Sequence, residues 1–321
     1  MKARIILTIG DPCGIGPEII LKIFSSRLKN KFFMKVIGPR KVFDFYSKKL
    51  GLPEIKAENL IELSGYNTFQ IKPGKISPLA GRMSGDSIKL AVELCRINEY
   101  DAVVTLPISK EALNLGGYLF PGHTEMIDFY THSKSAFMIM YFDGLMIANA
   151  TNHLPLIKVS EVLTKNFIKR KIIRLNNILV KEFGVFKPKI SVLSFNPHNG
   201  DGGLLGNEEL KTIIPAIDEL QNEGLNISGT YASDSYFGNE LYKKFDVTLA
   251  LYHDQGLIPF KMISKNKGIN YTGGLNVIRT SPAHGTGFDI AGTGTADITS
   301  TVEAIKLATK LKEIRKNGIT R

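Results

Sequence analysis

The stretch RIILTIGDPCGIGPE, residues 4–18, decides the fold. Its first part, Arg4–Thr8, is an apolar, β-branched run typical of a strand, and a glycine-rich turn follows it directly. Pro17 suits the first turn of a helix, where its missing N–H costs nothing. The stretch therefore predicts one strand–turn–helix unit. It matches neither GxGxxG nor a Walker loop, so the glycines indicate a tight turn more strongly than a phosphate cradle.

The same alternation of short apolar runs and longer amphipathic stretches continues along the chain, which predicts an α/β fold around a mostly parallel sheet. The further predicted strands are Phe33–Ile37, Ala102–Thr105, Ile190–Phe195, Val247–Tyr252 and Asn276–Ile278. The predicted helices are Pro17–Leu28, Ser84–Asn98, Thr164–Phe183, Glu208–Asn222 and Thr299–Lys316. An antiparallel hairpin is predicted where Ala136–Phe142 and Leu145–Thr151 flank Asp143-Gly144.

Composition excludes several classes of protein. Of 321 residues, 43% are hydrophobic and 22% charged, which is ordinary for a folded protein and atypical of a disordered one. No apolar run approaches the roughly 18 residues of a membrane span, so no membrane partner is expected. The two cysteines, Cys13 and Cys95, form no disulfide scaffold, and a reducing cytoplasm is the expected location.

The net charge of +11 raises the question of nucleic acid binding. The basic residues are spread along predicted helices and form no dense block interleaved with aromatic residues. We therefore expect a solvated lysine-rich surface and no nucleic acid partner. A positive field would also steer an anionic substrate toward the protein.

Three histidines each follow a predicted strand. His153 follows Leu145–Thr151, His198 follows Ile190–Phe195, and His253 follows Val247–Tyr252. Ligands bind outside the carboxyl ends of strands in open α/β sheets, so the three imidazoles could converge on one divalent metal ion. The alternative is that each histidine is a hydrogen-bonded structural residue, because spacings of 45 and 55 residues form no local metal signature.

A second glycine-rich stretch, Ser281–Asp297, contains four glycines and short side chains, which suit close approach of the backbone to a ligand. The alternative is a long irregular crossover, although unstructured loops of this length are usually functional.

Together the motifs resemble the 4-hydroxythreonine-4-phosphate dehydrogenase family over nearly the whole chain. The motifs that carry the resemblance are Gly10-Asp11-Pro12 to Gly16-Pro17-Glu18, Pro121-Gly122-His123-Thr124-Glu125, Asn196-Pro197-His198, Tyr252-His253-Asp254-Gln255-Gly256 and the loop His284–Gly294. That loop also resembles the adenosine-binding loop of isocitrate and isopropylmalate dehydrogenases.

The resemblance implies an NAD-dependent oxidation and decarboxylation of 4-phosphooxy-L-threonine in pyridoxine phosphate synthesis, with one divalent zinc, magnesium or cobalt ion per site. It implies metal ligands at His153, His198 and His253. It implies substrate contacts at His123, Thr124, Lys261, Asn270 and Arg279. The implied cofactor contacts are His284, Gly285, Thr286, Asp289, Ile290 and Gly292. The proton acceptor stays open among Asp254, Asp234, Lys261 and a water on the metal.

Two further expectations follow from the resemblance. The fold is expected to be two α/β/α subdomains with a cleft between them, isocitrate/isopropylmalate dehydrogenase-like, with residues 1–130 plus 280–321 carrying the cofactor loop and 131–279 carrying the metal ligands. The protein is expected to be a homodimer with a shared active site. The apolar hairpin Ala136–Thr151 is expected near the twofold axis, because its apolar residues need either a core or a partner to cover them. These residues include Phe137, Met138, Met140, Leu145, Met146 and Ile147.

The chain departs from the family pattern after His198, where Asn199 and Asp201 stand in place of the more usual Ala and Glu, and at Cys13, where Ala is usual. Two other functions stay open. One is a sister dehydrogenase of phosphorylated threonate or erythronate, which would use the same metal and cofactor. The other is an acyltransferase of the phosphotransacetylase type, which would need neither.

Overall fold

A computed structural model describes residues 2–133 and 136–318, with the side chains of 317 and 318 excepted. The chain forms two compact units. Unit 1 consists of Met1–Ala136 and Ile269–Glu313, and unit 2 of Phe137–Gly268 and Ile314–Arg321. Residues 131–133, 136 and 269–279, which are predicted in the second subdomain, lie in unit 1, and residues 314–318, which are predicted in the first, lie in unit 2. Positions 1, 134–135 and 319–321 of the predicted subdomain ranges lie outside the described residues.

The described residues form these elements. The strands are β1 (Arg4–Thr8), β2 (Phe33–Gly38), β3 (Leu60–Glu62), β4 (Ala102–Val104), β5 (Phe137–Phe142), β6 (Leu145–Asn149), β7 (Ile190–Leu193), β8 (Ile227–Tyr231), β9 (Val247–Ala250), β10 (Ile269–Gly273) and β11 (Ile278–Pro282). The α-helices are α1 (Gly16–Ser25), α2 (Arg40–Leu50), α3 (Pro78–Arg96), α4 (Lys110–Leu115), α5 (His123–Thr131), α6 (Val159–Val162), α7 (Lys165–Phe183), α8 (Ile214–Asn222), α9 (Ser233–Gly238), α10 (His253–Ser264) and α11 (Thr299–Gly318).

The sheet of unit 1 has the strand order β3-β2-β1-β4-β11-β10, parallel except for β10 against β11. Four consecutive residues of β1, Ile5–Thr8, are buried, as expected of a parallel strand covered on both faces. Helix α3 packs across β1, β2 and β4 and contributes Ile88 and Val92 to the core. It begins at Pro78, six residues before the prediction, because Ser77 caps it by accepting a hydrogen bond from the Ala80 amide.

The sheet of unit 2 has the order β5-β6-β9-β7-β8, in which β6, β9, β7 and β8 are parallel. The predicted hairpin is confirmed: β5 and β6 pair antiparallel, and Asp143 and Gly144 both have positive φ, at 44° and 88°. Helix α10 packs on β5, β6 and β9. The carboxyl ends of β6, β9 and β7 are therefore neighbours at one edge of this sheet.

Most predicted elements are present, with two kinds of error. The strand predicted at Asn276–Ile278 is wrong in its bounds, because β11 begins at Ile278 and continues through Arg279 and the residues that follow. Its five residues are buried between β4 and β10 although three of them are polar. Strands β3, β8 and β10 and helices α2, α4, α5, α6, α9 and α10 were not predicted. The predicted helix Glu208–Asn222 divides into a π-helix, Glu209–Ile213, and α8.

The apolar hairpin is partly covered by the chain itself. Phe137, Met140, Met146 and Ile147 are buried, whereas Met138 and Leu145 are partly exposed. The expected position of the hairpin near a twofold axis stays a prediction. No helix in residues 2–133 and 136–318 is both long enough and apolar enough to cross a membrane.

Candidate active site

The strand-end histidines lie where the topology of unit 2 puts them. His153 follows β6, and His253 is the first residue of α10, directly after β9. Because β6 and β9 are parallel neighbours, the two rings come together, with centroids 5.9 Å apart and planes inclined by 40°. Two imidazoles bound to one tetrahedral ion at ~2.1 Å have centroids roughly 5 Å apart, so the pair fits a shared metal ion.

Asp254 fixes the orientation of the second of these rings. Its Oδ1 lies 2.7 Å from His253 Nδ1. A carboxylate at this distance holds a proton on Nδ1 and leaves the lone pair of Nε2 for a metal ion, which is the usual arrangement around metal-binding histidines. Beside the pair, a pocket of about 340 Å³ is lined by residues 152–156, 159 and 252–254. The buried Asn152 Oδ1 has no hydrogen-bond partner in the described structure and offers a further acceptor there.

His198 is not brought into this pair. Within residues 2–133 and 136–318, no three His, Cys, Asp or Glu side chains are grouped closely enough to hold a metal ion. His198 is exposed on the loop after β7 and has a positive φ of 50°. The described part of one chain therefore supplies two candidate ligands as a pair, and the predicted third stays a prediction. Asp234 is exposed in the first turn of α9 and belongs to no such group either.

Unit 1 contains a buried guanidinium. Arg279 on β11 is 2% exposed. Its Nε and Nη2 donate to Thr105 Oγ1 at 3.0 and 2.7 Å, and its Nη1 donates to Thr272 Oγ1 at 2.8 Å. Burial lowers the pKa of Arg279 to about 10, so the group is charged at neutral pH. No carboxylate in the described residues lies within ion-pair distance of it, and the charge of Glu125 acts from further away, opposing the fall in its pKa. The guanidinium is therefore a buried cation with no directly bonded anion.

His123 lies close to Arg279. Burial lowers the pKa of His123 well below its usual range, the Arg279 charge and the Lys110 charge lower it further, and a hydrogen bond to the Leu106 backbone opposes them. The ring is therefore neutral at pH 7. Its Nε2 is buried without a hydrogen-bond partner in the described structure and is free to contact a ligand. We call Arg279 and His123 the basic pocket, and the exposed Lys110 lies near it.

Three other predicted substrate residues occupy definite places. Asn270 lies on β10, and its Oδ1 is buried without a partner among the described residues. Thr124 follows His123 in the first turn of α5 and is partly buried. Lys261 is exposed on α10 in unit 2. Asn270 and Thr124 thus belong to the same unit as the basic pocket, and Lys261 belongs to the unit of the histidine pair.

The loop His284–Gly294, which we call the cofactor loop, is bound to the first glycine turn and to α1. The Ile15 amide donates to the Thr286 carbonyl at 2.9 Å. A Cβ on Gly14 would lie 2.7 Å from that same carbonyl oxygen, so this glycine is needed for the close approach. The first glycine turn therefore supports the cofactor loop.

An ion pair between Glu18 and Lys22 on α1 holds the end of the cofactor loop. Glu18 is fully buried on α1 and accepts from the amides of Gly294 and Ala296 at 3.2 and 2.7 Å. The partly exposed Lys22 lies 2.9 Å from Glu18 and donates to the carbonyls of the same two residues. Gly294 at the end of the loop and Ala296 just after it are thus held through both their amides and their carbonyls.

The loop fits a nucleotide cofactor in two respects. His284 Nε2 is buried with no hydrogen-bond partner in the described structure. Asp289 is exposed, and its carboxylate forms no hydrogen bond or ion pair within the described residues. An unpaired carboxylate on such a loop can accept hydrogen bonds from a ribose diol. Gly285, Ile290 and Gly292 lie on the same loop, and their predicted contacts stay predictions.

Several residues of the site had not been predicted. Thr105, Thr272 and Lys110 surround the basic pocket, and the position of Lys110 soon after β4 was the one available signal. Asp11 is buried beneath the first turn, where burial raises its pKa to about 6, and hydrogen bonds from the backbone of Cys13 and Ser109 oppose the rise.

Comparison with known proteins identifies the family of the chain. The family model of the pyridoxal phosphate biosynthetic protein PdxA matches residues 27–308. A protein named 4-hydroxythreonine-4-phosphate dehydrogenase from Prosthecochloris aestuarii is 41% identical over 94% of this chain and 95% of its own, and one from Bacteroides thetaiotaomicron is 39% identical over 96% and 88%. The crystal structure of the Klebsiella pneumoniae protein of that name superposes with a TM-score of 0.87, at 32% identity, over 97% of this chain and 98% of that one. The α/β fold class is confirmed, and the chain belongs to the PdxA family.

Proposed function

We propose that the chain catalyses the NAD-dependent oxidation of 4-phosphooxy-L-threonine with loss of CO₂, giving 3-amino-2-oxopropyl phosphate for pyridoxine 5'-phosphate synthesis. Family membership supports the class of reaction. The observation that carries the substrate class is the buried Arg279, which has no carboxylate within ion-pair distance in the described residues and lies beside a neutral His123 whose Nε2 has no partner there. A phosphate monoester is an anion that such a guanidinium binds well.

Arg279, His123 and Lys110 contribute to phosphate binding in different ways. Arg279 is already held by Thr105 and Thr272, so little side-chain freedom is lost on binding. Neutral His123 hydrogen-bonds to the ligand without adding charge, and Lys110 adds a mobile positive charge near the pocket. Binding energy from this remote end of the substrate holds the reacting end in place.

The reacting end requires a metal ion and NAD, which we propose as cofactors. When bound, the divalent ion would supply Lewis acidity and NAD a hydride acceptor. His153 and His253 would hold the ion, with His198 as the third ligand, and Asp254 keeps the His253 ring in the metal-binding tautomer. The cofactor loop, held by Glu18 and Lys22 on α1, would bind the adenosine end of NAD.

We also propose a cytoplasmic homodimer with a shared active site. Each strand-end histidine is followed within nine residues by two exposed apolar side chains: Leu156 and Ile157 after His153, Leu204 and Leu205 after His198, and Ile258 and Met262 after His253. Such a concentration of exposed apolar side chains near the three histidines is typical of a protein–protein interface. Both cysteines are free and buried, which agrees with a reducing compartment.

Sedimentation over a dilution series tests the dimer. Ile157→Glu should shift the protein toward monomer. Phe186→Glu should leave the dimer intact, because Phe186 is a similarly exposed apolar residue of unit 2 that is not within nine residues after any of the three histidines. Chelator should weaken the dimer by mass action if metal bridges two chains. A wild-type protein that is fully active as a monomer would contradict the shared site.

A substrate panel tests the proposed function. NADH formation is measured with 4-phosphooxy-threonine, phosphothreonate and phosphoerythronate, each with and without chelator. We expect the highest kcat/KM with the amino acid. A higher kcat/KM with either hydroxy acid would assign the chain to the sister dehydrogenases instead.

A further inference from the structure

The loop that carries His198 has an unusual backbone. Five consecutive residues, His198–Gly202, have φ between 44° and 78°, in the left-handed region. His198, Asn199 and Asp201 are not glycine, and this conformation is unfavourable for residues with a Cβ. A run of this kind persists only where surrounding contacts determine it. The question is therefore which groups hold the loop.

One buried carboxylate contacts the start of this loop. Glu209, the first residue of the π-helix Glu209–Ile213, is 1% exposed. Its Oε1 accepts from the backbone amides of Phe195 and Asn196, both at 2.7 Å, and its Oε2 accepts from Asn196 Nδ2 at 2.8 Å. These are three charge-assisted hydrogen bonds to the two residues that join β7 to the loop.

The same carboxylate also limits the middle of the loop. A Cβ on Gly200 would lie 2.9 Å from Glu209 Oε2, and Gly200 has a φ of 78°. The Gly200 carbonyl in turn accepts from the Leu205 amide at 3.0 Å, which closes the loop. Glu209 therefore touches the loop both before His198 and after it.

The neighbouring Glu208 provides an internal comparison. It is partly exposed and accepts from Asn196 Nδ2, at 2.7 Å, and from the backbone of Asn207 and of its own residue. None of its described hydrogen bonds comes from the backbone of residues 195–203. The two adjacent glutamates therefore share the Asn196 side chain as a partner, but only the buried Glu209 accepts from the backbone that leads into the loop.

We propose that Glu209 is the positioning residue of the His198 loop: its three hydrogen bonds hold the left-handed segment so that the His198 imidazole is presented for ligation. The role in ligation rests on the proposed function, whereas the holding of the loop does not. Glu209 touches neither substrate nor metal in this scheme and acts through His198.

Metal affinity is the first test. Zn²⁺ and Co²⁺ are titrated into the full-length wild type, Glu209→Gln and Glu208→Gln, with calorimetry and the visible absorption of the Co²⁺ protein as readouts. The Gln side chain keeps the size of Glu209 but removes the charge and places an amide donor against the donors of the loop. We expect affinity to fall about 10- to 100-fold in Glu209→Gln, with an altered Co²⁺ spectrum, and to stay within about 3-fold in Glu208→Gln.

A double-mutant cycle separates positioning from general destabilisation. If Glu209 acts through His198, then Glu209→Gln should add nothing to the loss of metal affinity in a His198→Ala background, while its effect should persist in a His153→Ala background. An equal effect of Glu209→Gln with and without His198 would overturn the proposal, as would wild-type affinity in Glu209→Gln.

Hydrogen exchange on the metal-free protein tests the loop directly. We expect the amides of residues 195–203 to exchange at least about 10-fold faster in Glu209→Gln, with the amides of β7 and α8 unchanged. Unchanged exchange of the loop would overturn the proposal even where wild type binds no metal, an outcome that would count separately against the proposed function. If Glu209→Gln does not fold, Asn196→Ala removes one of the three contacts and should shift both readouts in the same direction.

Discussion

Arg279 and Thr105 are joined by two hydrogen bonds, from Nε at 3.0 Å and from Nη2 at 2.7 Å to the same Oγ1. The guanidinium is thereby fixed inside unit 1 by neutral groups, and its charge is left without a bonded carboxylate in the described residues. A cation held in this way is prepared to bind an anion, and it is the feature from which the proposed substrate class follows.

Replacement of this guanidinium should selectively impair binding of the phosphorylated substrate. We expect Arg279→Met to raise KM at least about 30-fold, the low end for loss of one partner of a buried charge pair. Unfolding free energy should fall little or rise, because the variant no longer buries an unpaired charge. Steady-state kinetics and urea unfolding measure the two effects, with Arg27→Met, an exposed position, as the control. An unchanged KM would show that the phosphate group of the substrate does not bind at Arg279.

Metal binding should depend on both residues of the His253–Asp254 contact. His253→Ala should lose stoichiometric Zn²⁺, and Asp254→Asn should bind it about 10- to 100-fold more weakly, because the ring is no longer held in one tautomer. His132→Ala, an exposed histidine of unit 1, should bind metal as wild type does. Metal analysis after gel filtration and calorimetric titration measure these values. Full occupancy in His253→Ala would disprove the site.

Cofactor choice should follow Asp289. Its exposed carboxylate favours a ribose hydroxyl and repels a 2′-phosphate, so we expect a preference for NAD over NADP. Asp289→Ala should lower the ratio of the two kcat/KM values by about 10-fold or more, since juxtaposed like charges are costly. Asp143→Asn at the exposed hairpin turn serves as the control. The same ratio in Asp289→Ala and wild type would place the ribose elsewhere.

The buried Asp11 should make folding stability depend on pH. Burial raises its pKa from 3.8 to about 6, so the folded chain binds this proton more tightly than the unfolded chain does. Its contribution to stability is present below about pH 4 and is lost as pH rises through about 6. The difference between the two pKa values corresponds to a change of about 3 kcal/mol in the free energy of unfolding, at about 1.36 kcal/mol per pH unit, between pH values well below 3.8 and well above 6.

Asp11→Asn removes this dependence. The unfolding free energy of the variant, relative to wild type, should therefore rise by about 2 kcal/mol between pH 4 and pH 7. Urea unfolding at a series of pH values measures the difference. A difference that is constant with pH would show that Asp11 does not titrate in this range.

Elements governed by local sequence were predicted well. The apolar run Arg4–Thr8 matches β1 residue for residue, and Asp143-Gly144 correctly indicated the hairpin, because a two-residue turn of this type sets its own register. The strand β11 was misplaced because its polar residues conceal a buried strand. Arg279 is compatible with burial only through hydroxyls from Thr105, 174 residues distant, and Thr272.

The candidate site was also predicted only in part. The strand-end rule correctly brought His153 and His253 together, because β6 and β9 are parallel neighbours. It could not predict the loop of His198, because His, Asn and Asp tolerate the left-handed conformation as single residues and not usually in a run of five. Glu209 was missed as a site residue because its partners there are chiefly backbone amides, which leave no pattern in the sequence.

The most direct test of the central claim is the stoichiometry of one reaction. Purified protein, NAD and 4-phosphooxy-L-threonine are combined, and NADH, CO₂ and 3-amino-2-oxopropyl phosphate are quantified in the same sample, with chelator and with Arg279→Met in parallel. We expect the three products to form in equimolar amounts. Product formation should be abolished by chelator and restored by added divalent ion, and it should be strongly reduced in Arg279→Met. NADH formation without CO₂, or turnover that is indifferent to both chelator and Arg279, would contradict the central claim.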